Sequence, residues 1–258
     1  MFEQLQVRIH GAATLPTLIY LPGLHGDWTL VGSFRRQLAG KVRFVEFTYP
    51  RTLTWSLDDY AAAIEGALEQ NGVSQGWLLG ESFGSQIVWP LAARGKFSAQ
   101  GIILAGGFAR HPLRGLVRQA EKCFGRMPFA LMVWTIYAFT KFARFHFRHS
   151  PEKLAEIEEF AARRTRLDAR AATHRLHLIA ANDPRPVVRS TRLPVFYLTG
   201  FFDPIVQWPL VRHWLKKNCP GLRGVRIVGA ADHNVLGTGA QAAARQVLEW
   251  ITPWTICD

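Results

Sequence analysis

The segment Gly80-Glu81-Ser82-Phe83-Gly84 combines residue types and a spacing that indicate chemistry. The apolar run 77–79 precedes it, and a helical pattern over 83–94 follows it. A serine exposed between a strand and a helix needs a very tight turn. The glycines two positions before and after it remove Cβ atoms that would clash in such a turn. We therefore predict that Ser82 is a nucleophile.

A serine hydroxyl is a weak nucleophile, so it needs a base to take its proton and a third group to orient that base. Of the nine histidines, His233 alone directly follows the last predicted strand. Asp203 follows the strand before that one. These positions predict a catalytic triad of Ser82, His233 and Asp203.

Three other acidic residues compete with Asp203 for the orienting role. Asp232 is adjacent to the predicted base, and adjacent side chains diverge. Asp183 lies in a long helical insertion, and Glu81 lies inside the tight turn, where its side chain points away from the nucleophile. An Asp before a proline is also a common turn residue. The position after the penultimate strand nevertheless favours Asp203.

Stabilising the oxyanion of an acyl-transfer reaction requires two N–H donors already in place. One predicted donor is the N–H of Phe83, directly after the nucleophile. The other is the N–H of Leu24, in the loop Leu21-Pro22-Gly23-Leu24-His25-Gly26 that follows an early strand. Its two glycines let the main chain approach the site closely. His25 is either a second candidate base or a residue that shapes this loop, and we favour the second interpretation.

Apolar β-rich runs alternate with helical patterns up to about residue 107 and again from residue 193. This alternation predicts an α/β fold, because parallel strands are joined by helical crossovers. Residues 108–192 show helical patterns without a convincing strand. We predict a core over 1–107 and 193–258 with a helical cap inserted over 108–192. Pro90 predicts either a kink in the helix after the nucleophile or an early end of that helix.

With Ser82, Asp203 and His233 in this chain order, the sequence resembles the α/β-hydrolase superfamily over 1–107 and 193–258. The resemblance implies a mostly parallel sheet of about eight strands, a helical cap, and neither a cofactor nor a metal for the chemistry. Serine at this position argues against the haloalkane dehalogenase and epoxide hydrolase branches, whose nucleophile is Asp. The sequence departs from many relatives at Pro22-Gly23, where they have His-Gly, and this departure bears on the donor assigned to Leu24.

The chain is strongly basic, with 31 Lys and Arg against 19 Asp and Glu and a formal net charge of +12. The arginines are spread along the chain without a zinc-finger or RNA-binding signature, so we expect no nucleic-acid partner. Solubility, an anionic substrate and an anionic membrane surface remain open as reasons for the charge. Three cysteines without a CxxC pair, and an N-terminus without a secretory pattern, predict a cytoplasmic location. The sequence predicts no oligomeric state.

Aromatic residues beside the predicted strand ends indicate an apolar pocket. We expect Trp28, Phe108 and Phe202 to bind substrate, with Phe83 nearby. The aromatic-rich stretch 127–147 carries basic residues towards its end and beyond, at Lys141, Arg144 and Arg148. It fits a lid helix that buries its aromatics, which we favour. The alternatives are an acyl-chain lining and a face that lies on an anionic membrane.

These features predict a serine hydrolase that cleaves a carboxylic ester of a small, hydrophobic acyl or aromatic substrate through an acyl-enzyme. Thioester hydrolysis, acyl transfer and carbon–carbon bond hydrolysis use the same triad, and no sequence feature decides between them. A non-catalytic binding or membrane-associated module is the alternative of another class, and the intact triad argues against it.

Overall fold

A computed structural model of the chain describes residues 4–146, 148 and 150–252. It contains one seven-stranded sheet. The strands are β1 (Gln6–His10), β2 (Thr17–Leu21), β3 (Arg43–Thr48), β4 (Gln75–Glu81), β5 (Ser98–Ala105), β6 (Val195–Gly200) and β7 (Leu222–Val228). Their order across the sheet is β1-β3-β2-β4-β5-β6-β7. Every pair is parallel except β1 with β3, so the prediction of a mostly parallel α/β sheet is confirmed.

The sheet has seven described strands where about eight were expected, and the sequence patterns did not predict β1. This edge strand alternates exposed Gln6 and Arg8 with half-buried Val7 and Ile9. Such a half-polar run lacks the continuous apolar character that identifies the central parallel strands.

Helices cover both faces of the sheet. The described helices are α1 (Gly32–Leu38), α2 (Leu57–Gln70), α3 (Gly84–Arg94), α4 (Arg114–Arg126), α5 (Phe129–His146), α6 (Pro151–Ala162), α7 (Arg166–Ala181), α8 (Arg185–Ser190), α9 (Trp208–Asn218), α10 (Val235–Thr238) and α11 (Ala240–Ile251). Alternate residues of β2 enter opposite cores. Ile19 packs with α2 and α3, whereas Leu18 packs with α1 and α11.

Helix α3 continues through Pro90 to Arg94 and ends at Gly95, which has the left-handed φ of 68° typical of a helix C-terminus. The early end considered for this helix is therefore not observed.

Five of the helices, α4 to α8, lie between the neighbouring strands β5 and β6, in the region where the sequence predicted an insertion. The exact limits 108 and 192 remain a prediction. Phe147 and Cys257 lie outside the described residues. Within the described part of the chain, no helix is both long and apolar enough to cross a membrane.

Candidate active site

Ser82 occupies the turn between β4 and α3 and has a φ of 47°. No other non-glycine residue in the described part of the chain has a positive φ. The flanking glycines are sterically required. A Cβ on Gly80 would lie 2.7 Å from Val88 Cγ2, and a Cβ on Gly84 would overlap the carbonyl oxygen of Leu21. Backbone strain of this kind, held by tight packing, concentrates at functional sites.

The side chains of Ser82, His233 and Asp203 form one hydrogen-bonded chain. Ser82 Oγ lies 2.9 Å from His233 Nε2, and His233 Nδ1 lies 2.8 Å from Asp203 Oδ2. The second carboxylate oxygen, Oδ1, accepts from the N–H groups of Ile205 at 2.9 Å and Val206 at 2.8 Å. A neutral ring protonated at Nδ1 matches this arrangement, with Nδ1 donating to the carboxylate and Nε2 accepting from the hydroxyl.

The three rival acids have other partners. Asp232 accepts from the Asn234 N–H at 2.9 Å, and Asp183 forms a bidentate ion pair with Arg185. Glu81 is buried and accepts a short hydrogen bond from the Tyr20 hydroxyl. The structure therefore brings only Asp203, among the four candidates considered, to His233.

The loop with the predicted oxyanion donor lies against the nucleophile, since a Cβ on Gly23 would be 3.4 Å from Ser82 Cβ. In the described part of the chain, neither the Leu24 N–H nor the Phe83 N–H donates to another protein group in a turn or loop. The role of both N–H groups as oxyanion donors remains a prediction.

Two arginines hold this loop by its carbonyl oxygens, one from α7 and one from the connection between α6 and α7. Arg175 of α7, whose exposed fraction is 2%, donates from Nη1 to Leu24 O at 2.9 Å. Arg164 donates to His25 O at 3.2 Å and forms a buried ion pair with Asp27. Sequence reasoning missed both residues, since nothing in a helical pattern links an arginine to a loop about 140 residues earlier.

The electrostatics of the loop favour an ionised Asp27. Burial acts to raise the pKa of Asp27, but His25, Arg164 and the hydrogen bonds from Thr29 outweigh it and lower the pKa to about 2. The His25 ring packs edge-on against Phe160, with centroids 6.2 Å apart. Its buried Nε2 has no hydrogen-bond partner in the described part of the chain. These contacts agree with a residue that shapes the loop.

Comparison with solved structures gives several likenesses that span nearly the whole chain. An enol-lactonase from Burkholderia xenovorans is 18% identical with a TM-score of 0.78, covering 96% of each chain. An esterase from Exiguobacterium antarcticum is 12% identical with a TM-score of 0.76, covering 96% of this chain and 95% of that one. An esterase from Thermogutta terrifontis is 18% identical with a TM-score of 0.74, covering 97% of this chain and 93% of that one.

The chain has the α/β-hydrolase fold. The resemblance noted in the sequence is therefore confirmed for the fold, while no protein-family model and no curated protein sequence matches the chain. The α/β-hydrolase fold accounts for the meeting of distant residues in this site. The ends of the parallel strands β4, β6 and β7 deliver Ser82, Asp203 and His233 to one edge of the sheet.

A mostly apolar cavity of about 400 Å³ opens onto Ser82 and His233. Leu24 and Phe108 line it on the core side. The inserted helices and the Asp203 loop contribute Leu116, Val117, Ala120, Leu176, Ile179, Pro204 and Ile205. A larger cavity of about 840 Å³, between α4, α5 and α7, contains no triad residue.

The predicted pocket residues lie in different places. Phe108 lines the cavity. Trp28 instead packs in the core beside α1, with the Arg8 guanidinium 3.9 Å from its ring centroid, and Phe202 is 66% exposed. Phe83 is buried against Tyr49 and Tyr60. Residues after a strand end face several directions, and position alone does not tell which of them turn towards the cavity.

Gln86, in the first turn of α3, joins the start of the inserted segment and the end of α7 to the nucleophile helix. Its amide donates to the carbonyl oxygens of Phe108 at 2.9 Å and Ala109 at 3.2 Å. Its own oxygen accepts from Asn182 Nδ2 at 3.0 Å. The position of the inserted helices is therefore coupled to the helix that begins beside Ser82.

His111 forms part of the cavity wall and is held neutral. Its Nδ1 accepts from the Leu113 N–H at 3.1 Å. Burial, together with the nearby His233, lowers the pKa of His111 to about 4. Among the described residues, no cluster of three or more His, Cys, Asp and Glu side chains is arranged as a metal site.

Proposed function

We propose that this protein is a serine hydrolase that cleaves a carboxylic ester of a small hydrophobic substrate. The observation that carries the proposal is the hydrogen-bonded chain from Ser82 Oγ to His233 at 2.9 Å and on to Asp203 at 2.8 Å. Because this chain ends in an apolar cavity at a strained turn, it has the geometry that activates a serine hydroxyl.

In the proposed mechanism, His233 Nε2 takes the proton of Ser82 as Oγ attacks the substrate carbonyl. Asp203 stabilises the imidazolium, and the N–H groups of Leu24 and Phe83 stabilise the oxyanion. His233 then protonates the leaving alcohol as the carbon–oxygen bond breaks. Water, deprotonated by His233, attacks the acyl-enzyme and regenerates the serine.

The apolar lining supports a hydrophobic acyl or aromatic group in the cavity of about 400 Å³. The structural likeness to an enol-lactonase extends the class to lactones, which are cyclic carboxylic esters. Thioester hydrolysis, acyl transfer and carbon–carbon bond hydrolysis remain alternatives with the same residues. A binding module that uses the fold without catalysis is the alternative of another class.

A panel of p-nitrophenyl esters from acetyl to long-chain acyl tests the proposal. We expect turnover by the wild type and none by Ser82→Ala. We expect Asp203→Asn to lower kcat by about 10³–10⁴ because the His233 ring is no longer held in the tautomer protonated at Nδ1. Ser98→Ala, which changes an exposed serine at the start of β5, is the matched control and should retain full activity.

A fluorophosphonate probe separates the alternatives. Labelling of Ser82 without ester turnover would favour thioester hydrolysis or acyl transfer. Neither labelling nor turnover, from folded protein, would favour the binding module.

We further propose that the protein is cytoplasmic and touches anionic membranes at their surface through α5. Trp134 and Tyr137 of α5 are not buried, contrary to the interpretation favoured from the sequence. Together with Leu131 they recur on one face of α5 and are 45–63% exposed, with the basic Lys141 following them. An apolar face with flanking positive charge suits an anionic interface. Sedimentation with phosphatidylglycerol vesicles, but not with phosphatidylcholine vesicles, is expected and should be weakened by Trp134→Ser. Equal sedimentation of the variant would contradict the proposal.

A further inference from the structure

A second cavity lies directly beside the catalytic one. It has a volume of about 350 Å³, and His111 lines both cavities. Three guanidinium groups line it, from Arg110 before α4, Arg114 at the start of α4 and Arg185 at the start of α8. We call this cavity the arginine pocket.

The arginine pocket has more positive than negative charge. Asp183 is paired with Arg185, at 2.7 Å from Nε, and lies 3.6 Å from Arg110. Among the described residues, Arg114 donates to the backbone carbonyls of Ala180 and Ala181 at the end of α7 and pairs with no carboxylate. Two of the three guanidinium groups therefore share the one carboxylate of Asp183, and the third has only carbonyl partners in the described part of the chain.

Arg114 lies among like charges. Desolvation and the nearby charges of Arg118, Arg110 and Arg185 lower the pKa of Arg114, and Asp183 acts to raise it. Like charges held this close repel one another, and a bound anion would relieve that repulsion. Guanidinium groups are also the side chains best suited to phosphate, because their planar forks donate paired hydrogen bonds.

The remaining wall of the arginine pocket is apolar. It is formed by Leu210, Val211 and Trp214 of α9. An aromatic ring in the same lining as a set of cations fits a ligand that joins an anionic group to a planar or apolar one. A simple inorganic ion would leave this wall unused.

We propose that the arginine pocket binds a phosphate group carried by the substrate, on a leaving group that extends past His111 from the catalytic cavity. The link between phosphate binding and turnover rests on the proposed hydrolase function, whereas the binding itself does not. The pocket thereby favours esters or thioesters whose alcohol or thiol bears phosphate.

Calorimetric titration of the full-length Ser82→Ala protein with ADP tests the binding. We expect one ADP site and binding at least about tenfold tighter than that of adenosine, since only ADP offers the phosphate groups. Titration with inorganic phosphate as a third ligand distinguishes a phosphoester from free phosphate as the ligand of the arginine pocket. ADP binding tighter than phosphate indicates a phosphoester ligand, and equal affinity for both indicates free phosphate. Adenosine binding as tightly as ADP, or no ADP binding, would overturn the proposal.

Variants locate the site. Arg110→Gln/Arg185→Gln should weaken ADP binding at least about tenfold. Arg110→Lys/Arg185→Lys, which keeps the charge but not the fork, should bind ADP more tightly than the Gln form and less tightly than the parent protein. Lys41→Gln/Arg245→Gln removes two exposed charges next to α1 and in α11, and should change ADP affinity less than about twofold. An equal loss of ADP affinity in this control would show a general attraction of ADP to a basic protein and would overturn the proposed site.

Kinetics connect the pocket to the substrate. The wild type should cleave butyryl-coenzyme A with a kcat/KM at least about tenfold above that for butyryl-pantetheine, which lacks the phosphates, and the Gln double variant should lose this preference. Its turnover of p-nitrophenyl butyrate should stay unchanged. Equal values for the two thioesters, or a preference that survives in the Gln double variant, would overturn the inference, while p-nitrophenyl butyrate turnover leaves the proposed function standing.

Discussion

The guanidinium of Arg175 donates a hydrogen bond of 2.9 Å to the carbonyl oxygen of Leu24. It thereby ties α7 to the loop that lies against Ser82 and carries the predicted oxyanion donor. The guanidinium is buried without a carboxylate among its described partners, so its charge is directed at backbone carbonyls and at the ring of Tyr49. A buried group held in this way fixes the orientation of the peptide planes it contacts.

Arg175 is therefore expected to act as a positioning residue for the oxyanion loop. Removing a whole oxyanion donor costs about 10²–10³ in kcat, and a misplaced donor should cost less, so Arg175→Gln should lower kcat by about 10–100-fold with KM little changed. Affinity for a trifluoromethyl ketone, which mimics the tetrahedral intermediate, should fall in parallel. Arg170→Gln, at an exposed arginine of the same helix, is the control. Wild-type kcat and ketone affinity in Arg175→Gln would show that the loop keeps its shape unaided.

The strained turn at Ser82 makes a prediction about stability. At a φ of 47°, any side chain with a Cβ is disfavoured by about 1 kcal/mol relative to glycine. Ser82→Gly and Ser82→Ala should both be inactive, but the glycine variant should melt about 2–4 °C higher than the alanine variant. Equal melting temperatures would mean that the turn relaxes around the alanine.

Gly84 and Gly66 offer a matched pair of glycine substitutions inside helices. A Cβ on Gly84 would overlap the Leu21 carbonyl, whereas a Cβ on Gly66 would meet no atom within 4 Å. Gly84→Ala should cost about 3 kcal/mol or more, and Gly66→Ala should stabilise α2 by about 0.5–1 kcal/mol. Urea denaturation measures both, and a mild effect at Gly84 would show that the loop after β2 can move away.

His111 predicts a fall in stability on acidification. Its pKa drops from 6.5 to about 4 on folding, so between these values the unfolded chain binds a proton that the folded chain does not. Stability should decline as the pH falls through this window, by up to about 3 kcal/mol from this group. His111→Asn keeps an acceptor for the Leu113 N–H and removes the titration, so its unfolding free energy should depend less on pH. Parallel pH profiles for the two proteins would assign the decline to other groups.

The sequence predicted the parts of the fold and the site that follow local rules. The tight turn at Ser82 has a fixed glycine spacing, and the strands before Asp203 and His233 are apolar runs. The edge strand β1 was missed because its burial is partial. Arg175 was missed because its role depends on a contact with a loop 151 residues away, which only the tertiary structure creates. Trp28 shows the same limit, since being next to a strand end did not determine which way its ring points.

The hydrogen bonds of Gln86 have a consequence for how the inserted segment can change during evolution. By bonding to Ala109 and Asn182, one side chain brings the residues before α4 and after α7 close together, so the segment from α4 to α7 begins and ends at one place. A loop whose ends already meet can change greatly in length or sequence at a small cost in closure entropy. The segment is thus suited to replacement as a whole by recombination. Related proteins can then acquire new substrate preferences while the sheet and the turn at Ser82 stay the same.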